Sequence, residues 1–122
     1  MDDGSSEAAI FRGCYVDLPA ISGDGQIVTA QLIFPRDFAA FAGHFPGDPI
    51  VPGFLQVELA LDMLRRVKMA AQLKTLRQAR FLLPIRPGQR VYVSLAGRPE
   101  DGFHLELQVD GELATVLEIT VG

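Results

Sequence analysis

Residues 42 to 62 read A-G-H-F-P-G-D-P-I-V-P-G-F-L-Q-V-E-L-A-L-D. His44 sits in a stretch dense in proline and glycine, whose restricted backbone can hold an imidazole in one place. A positioned neutral imidazole near pH 7 can take a proton as a general base. Glu58 comes later, inside an apolar run, between Val57 and Leu59. A carboxyl held among apolar neighbours is costly to bury unless paired, and one that resists ionisation can act as a general acid. The P-G-F at 52 to 54 marks a helix start, where backbone N–H groups lack partners at the positive end of the helix dipole. Gly53 leaves room for a ligand, and the N–H groups of Gly53 and Phe54 could hold a developing enolate oxygen. A base, an acid and an oxyanion site are the parts needed to remove a proton beside a thioester carbonyl and expel a β-hydroxyl.

Those residues need elements to position them. The segment from Pro35 to Pro52 carries four prolines, at 35, 46, 49 and 52, and the apolar residues Phe38, Phe41, Phe45, Ile50 and Val51. It reads as a rigid, packed loop, with Phe45, Pro46, Gly47 and Pro52 as its site-forming members. From Gly53 to about Gln72 the pattern is helical, with its first half apolar on nearly every face and therefore buried. Its second half turns basic and should emerge into solvent. Strands flank this unit: residues 10–18, then 26–34 after an Asp-Gly turn, then "TLRQARFLLPI", "RVYVSLAG", "FHLELQV" and "ELATVLEITV". Turn signals separate them at Pro87-Gly88, Asp101-Gly102 and Asp110-Gly111. Consecutive hairpins make an antiparallel sheet with one apolar face to cover, and the helix is the one long apolar element available. The expected fold is α+β, a strongly bent antiparallel sheet wrapped on one buried helix.

At 122 residues the chain is the size of one domain. Residues 10–122 are read as that domain and residues 1–9 as a frayed, polar tail that is no secretory signal. No apolar run approaches the ~20 residues of a membrane span. Cys14 is the single cysteine, which excludes an intrachain disulfide and fits a cytoplasmic setting. His44 lacks partners at ligand spacing, so no metal is expected. Neither G-x-S-x-G nor a phosphate-binding glycine loop occurs. His104, the other histidine, falls on the outward face of a strand.

The net charge of −4 hides an asymmetry. From Met63 to Pro99 there is no acid, and nine of the eleven basic residues lie there. Such a field can steer an acidic partner, while the overall acidity argues against nucleic acid.

The stretch G-H-F-P-G-D-P-I-V-P-G-F-L-Q-V-E-L-A resembles the active-site signature of the hot-dog-fold 3-hydroxyacyl-acyl-carrier-protein dehydratases, H-F-P-G-x-P-x-x-P-G followed five residues later by an acid. "ARFLLPIRPGQRVYV" is similar to the strand and turn after that family's central helix. The resemblance implies that His44 and Glu58 are the catalytic pair and that the Gly53 N–H holds the thioester carbonyl. It implies a homodimer with shared sites, in which His44 meets Glu58 of the other copy. It implies no cofactor beyond the phosphopantetheine arm of an acidic acyl carrier protein, which Arg65, Arg66, Lys68 and Arg86 could dock. Many of these dehydratases carry glutamine four residues after the acid, where this chain has Asp62. Two acids at i and i+4 repel, and Asp62 is expected to pair with Arg65 or Arg66. Gln56 is similar to a branch associated with aryl polyene pathways. Two other readings stay open: a hot-dog thioesterase, whose carboxylate activates water, and a non-catalytic acyl-binding or partner subunit.

Overall fold

The computed structural model describes residues 9–22, 26–38, 41, 47–69 and 71–122. The expected N-terminal tail falls on residues 1–9, of which 1–8 lie outside that set. A short 3-10 turn, Ala9–Phe11, opens the described chain. Strand β1 (Tyr15–Ile21) and strand β2 (Ile27–Ile33) come next, then helix α1 (Gly53–Arg66). Strands β3 (Leu73–Phe81), β4 (Arg90–Arg98), β5 (Gly102–Val109) and β6 (Glu112–Val121) complete it.

The six strands form one sheet in the order β1-β2-β4-β5-β6-β3, and every pairing is antiparallel. Among the described residues, this sheet and the helix α1 match the expected architecture. The register sends alternate residues inward: Val28, Ala30 and Leu32 of β2, Val91, Val93 and Leu95 of β4, and Phe103, Leu105, Leu107 and Val109 of β5. These side chains share one buried cluster with Leu55, Val57, Leu59, Ala60, Leu61, Met63 and Leu64 of α1.

Three expectations need correction. The first strand begins at Tyr15 rather than residue 10, because Phe11 lies in the 3-10 turn and packs its ring in the core. The turn at Pro87-Gly88 exists, with Gln89 N–H donating to Arg86 O at 3.3 Å, yet β3 and β4 do not form a hairpin across it. Instead β3 crosses to the far edge of the sheet and pairs with β6. Hydrophobic alternation reports faces and not neighbours, so the crossover was invisible to it. Helix α1 stops at Arg66, short of residue 72. Lys68 adopts φ 69°, and the Met69 and Lys68 N–H groups donate back to Leu64 and Arg65 carbonyls at 2.9 and 3.0 Å. This is a left-handed helix stop of the kind that glycine usually marks, here without glycine.

Asp62 is fully buried on α1. Its carboxylate accepts from the Tyr15 hydroxyl and from Arg66 Nε, each at 2.7 Å. The Arg66 guanidinium also lies 4.8 Å from the centre of the Tyr15 ring. The acid therefore pairs with Arg66, one of the two cations expected, and ties β1 to the helix. Burial first, and then the hydrogen bond to Asp62, drives the Tyr15 hydroxyl far above its ordinary pKa. Burial pushes the Cys14 thiol up to about 11 from 9.0.

Both groups hold their protons more tightly folded than unfolded. The unfolded chain therefore releases protons first, and stability falls with rising pH in that window. Above the carboxylate range, unfolding free energy should be level up to about pH 8 and decline from about pH 9. Tyr15→Phe should cost about 1–2 kcal/mol at neutral pH, since it strips one partner from a buried carboxylate. Its deficit should narrow above about pH 10, where tyrosine would ionise in the unfolded wild type. Denaturant titrations of both proteins at about pH 7 and pH 10.5 test the narrowing.

Candidate active site

The loop before α1 is pinned at both ends. Before it, the rings of Phe11, Phe34, Phe38 and Phe41 cluster, with centroids 6.4 Å apart for Phe11–Phe38, 5.1 Å for Phe34–Phe38 and 5.5 Å for Phe38–Phe41. After it, Gly47 takes φ 94°, a conformation that favours glycine. Asp48 then accepts a two-pronged bond from Arg86, at 2.8 Å from Nε and 3.2 Å from Nη2. This pairing lowers the Asp48 pKa and raises that of Arg86. The Val51 N–H donates to Ile85 O at 2.9 Å, closing the chain onto the β3–β4 connection. His44, Phe45 and Pro46 lie outside the described residues.

Pro52 caps α1 at φ −62° and ψ 150° and supplies no side-chain cap. A proline there costs no helical bond, because the first N–H groups have no intrahelical partner. Gly53 opens the helix against the Phe81 ring, and a Cβ at Gly53 would come 2.7 Å from Phe81 Cζ. Around this start lies a groove of about 420 Å³, lined by Ile50, Val51, Pro52, Gly53, Gln56 and the chain from Phe81 to Pro84. It is mostly apolar. Gln56, buried at its floor, donates to Val51 O at 3.2 Å and accepts from the Thr115 hydroxyl at 2.6 Å.

A second groove of equal volume lies on the outer face of the sheet, between Leu18 and Tyr92. Volume alone does not choose between them. The groove at α1 has the glycine, the open helix start and the motif residues; the outer one has none of these.

Glu58 does not face the groove. It is exposed on α1, one turn beyond Phe54, which is 65% exposed. From Leu55 to Leu64 every helix residue except Glu58 is buried. The expectation that this half is wholly buried is therefore corrected for one stripe, Phe54–Glu58, and the apolar covering anticipated for Glu58 is missing in the single chain. Asp62, next along the stripe, is closed over by Tyr15 and Arg66.

Three of the four candidate docking cations already have internal partners. Arg65 Nε donates to Ala71 O at 2.9 Å, Arg66 holds Asp62, and Arg86 holds Asp48. Lys68 is exposed. His104 is a surface residue as expected, 3.0 Å from Glu106 and 3.6 Å from Glu118. Phe81, Thr115 and Tyr15 escaped sequence reasoning. Phe81 ends a strand whose alternation gives no hint of the helix start, and Thr115 and Tyr15 are far in sequence from their partners.

Residues 20–117 match the family model described as ApeI-like, ApeI dehydratase. The chain is 34% identical over 111 residues to a 3-hydroxyacyl-[acyl-carrier-protein] dehydratase FabZ of Allorhizobium ampelinum, covering 81% of this chain and 71% of that protein. It is 35% identical over 114 residues to the FabZ of Rhizobium leguminosarum bv. trifolii, covering 84% of this chain and 72% of the relative. Among solved structures, the dehydratase heterocomplex ApeI:P from Xenorhabdus doucetiae superposes with a TM-score of 0.76 at 16% identity, over 88% of this chain and 95% of that one. At that identity the likeness speaks for the fold, which is the hot-dog fold.

Gly53→Ala should leave the chain folded, because the clash falls on the far end of a half-exposed ring. The displaced Phe81 should narrow the groove, so that binding of an apolar fluorescent probe weakens several-fold. Phe81→Leu in the same chain should restore it. Fluorescence titration of the three proteins decides this.

Proposed function

The chain belongs to the ApeI-like dehydratase family, and from that membership we propose the reaction it performs and the residues that perform it. It removes water from a 3-hydroxyacyl thioester to give the trans-2-enoyl thioester. His44 takes the C2 proton. Glu58 assists departure of the 3-hydroxyl as water. The N–H groups of Gly53 and Phe54 face the thioester oxygen as negative charge grows on it. The observation that carries the reading is the helix start at Gly53, which has no side-chain cap and opens into an apolar groove directly after the histidine-bearing loop.

The active unit is a homodimer. All nine residues of β3 are exposed, and β3 stands at the edge of the sheet with β6 as its one neighbour among the described strands. A long edge with Leu73, Leu76 and Phe81 bare is an invitation to strand pairing. The reading has His44 of the second copy meet this Glu58, which is exposed beside Phe54. The acyl chain arrives on the phosphopantetheine of an acidic carrier protein. With Arg65, Arg66 and Arg86 engaged within the chain, exposed Lys68 is the better footing among the four candidate cations. The reaction needs no further cofactor, since the base, acid and dipole are all protein groups.

His44→Ala and Glu58→Gln should each lower turnover by roughly 10²-fold or more, the usual worth of a positioned acid or base. The assay is dehydration, or reverse hydration, of an acyl-pantetheine thioester. Retained activity in both folded variants would falsify the assignment. Leu76→Asp places a charge in the proposed strand pairing. Light scattering should then report a monomer, with activity lost alongside. An active Leu76→Asp monomer would sink the shared-site reading.

A further inference from the structure

The approach to α1 is fixed by a side chain that the proposed chemistry does not use. Gln56 is 4% exposed, and Thr115 on β6 is fully buried. One amide joins three elements: it holds Val51 in the lead-in segment, stands on α1, and takes a hydroxyl hydrogen from the sheet. Its helix neighbours Leu55 and Val57 are apolar, and an apolar residue would fill the same space. Replacing both members of a buried polar pair by apolar groups of like shape is often nearly neutral in stability. What such a pair adds is direction.

The direction matters because Val51 leads straight into Pro52 and the helix start. The hydrogen bond from Gln56 holds the plane of the Val51–Pro52 peptide. The proline ring then locks φ at −62°. A single soft dihedral, Pro52 ψ, remains between that plane and the peptide carrying the Gly53 N–H. Its value of 150° is held by the Pro52 carbonyl, which accepts from Leu55 N–H at 3.1 Å.

We infer that Gln56 and Thr115 are a positioning pair that aims the first N–H groups of α1 at the reacting thioester, acting through Val51 and Pro52. This rests on the proposed function. The pair touches the lead-in segment and not the reacting atoms, so its removal should spoil geometry in the transition state more than binding.

The experiment is steady-state kinetics on a short acyl-pantetheine thioester, beside thermal melts. Gln56→Met should lower kcat roughly 10- to 100-fold, the scale of a small misplacement, with KM changed less than about threefold. Thr115→Ser keeps the hydroxyl and should turn over as wild type; Thr115→Val should lose kcat in the same sense as Gln56→Met. The double variant Gln56→Met/Thr115→Val should be no worse than the poorer single one. A pair that only stabilises would lower the melting temperature and leave kcat per folded enzyme unchanged, which overturns the inference. If Gln56→Met does not fold, equal kcat in Thr115→Ser and Thr115→Val overturns it equally. Wild type separates the two failures. No turnover of the 3-hydroxyacyl thioester by folded wild type defeats the proposed function, whereas an active wild type beside a fully active Gln56→Met defeats only the positioning role.

Discussion

One helix has to cover one face of a six-stranded sheet, and the rest of the molecule depends on that mismatch. Strands spaced about 4.8 Å apart make such a sheet roughly 24 Å across, while a helix with its side chains is only about 10 Å wide. A flat sheet would leave most of its apolar face in water. Bending the sheet around α1 buries the inward residues of β2, β4 and β5 on a helix that is apolar nearly all round. Residues such as Leu59, Ala60, Met63 and Leu64, all fully buried, are what this arrangement demands. The curl runs out before the last strand. β3 hangs at the edge with every residue exposed, and of its large apolar residues only Phe81 reaches α1, at Gly53.

The same mismatch places the site. Because the sheet wraps most of the helix, the uncovered parts are its N-terminus and one stripe beside it. The N-terminus lies beside Phe81 and Leu82, and the stripe runs from Phe54 to Glu58. A helix start is a poor thing to bury, since its N–H groups want partners. Here it opens into an apolar groove with proline and glycine in place of a capping serine or aspartate. A side-chain cap would add stability and would also occupy the donors that the proposed reaction uses.

Much of this was legible in the residues. Periodicity told strands from helix, and the bent sheet on a single helix came from having one apolar element to cover one apolar face. Three things were hidden. Strand order depends on where a crossover goes, and β3 looked like a hairpin partner of β4 because only a short turn separates them. The end of α1 rests on Lys68 adopting a backbone angle that its side chain does not advertise. The bonds from Tyr15 to Asp62 and from Thr115 to Gln56 join residues 47 and 59 positions apart. Nothing local in a sequence encodes such pairings, and of these four residues only Asp62 signalled that it needed a partner.

Asp62 and Glu58 show how the fold separates two acids that the sequence places one helical turn apart. Like charges at that spacing repel, so an arrangement that buried both on one face would be costly. The chain instead encloses Asp62 completely, with Arg66 supplying the opposite charge and Tyr15 a second donor. A buried acid so partnered is fixed in place, and its charge is offset locally. Glu58 is left on the open part of the stripe with Phe54. The enclosed acid therefore serves the fold at the closed end of the helix face, and the exposed acid falls at the end where, on the proposed reading, a second copy completes the site. Exposure of Glu58 in one chain is then what a shared site requires, since a carboxylate already enclosed by its own chain would have nothing left to offer another.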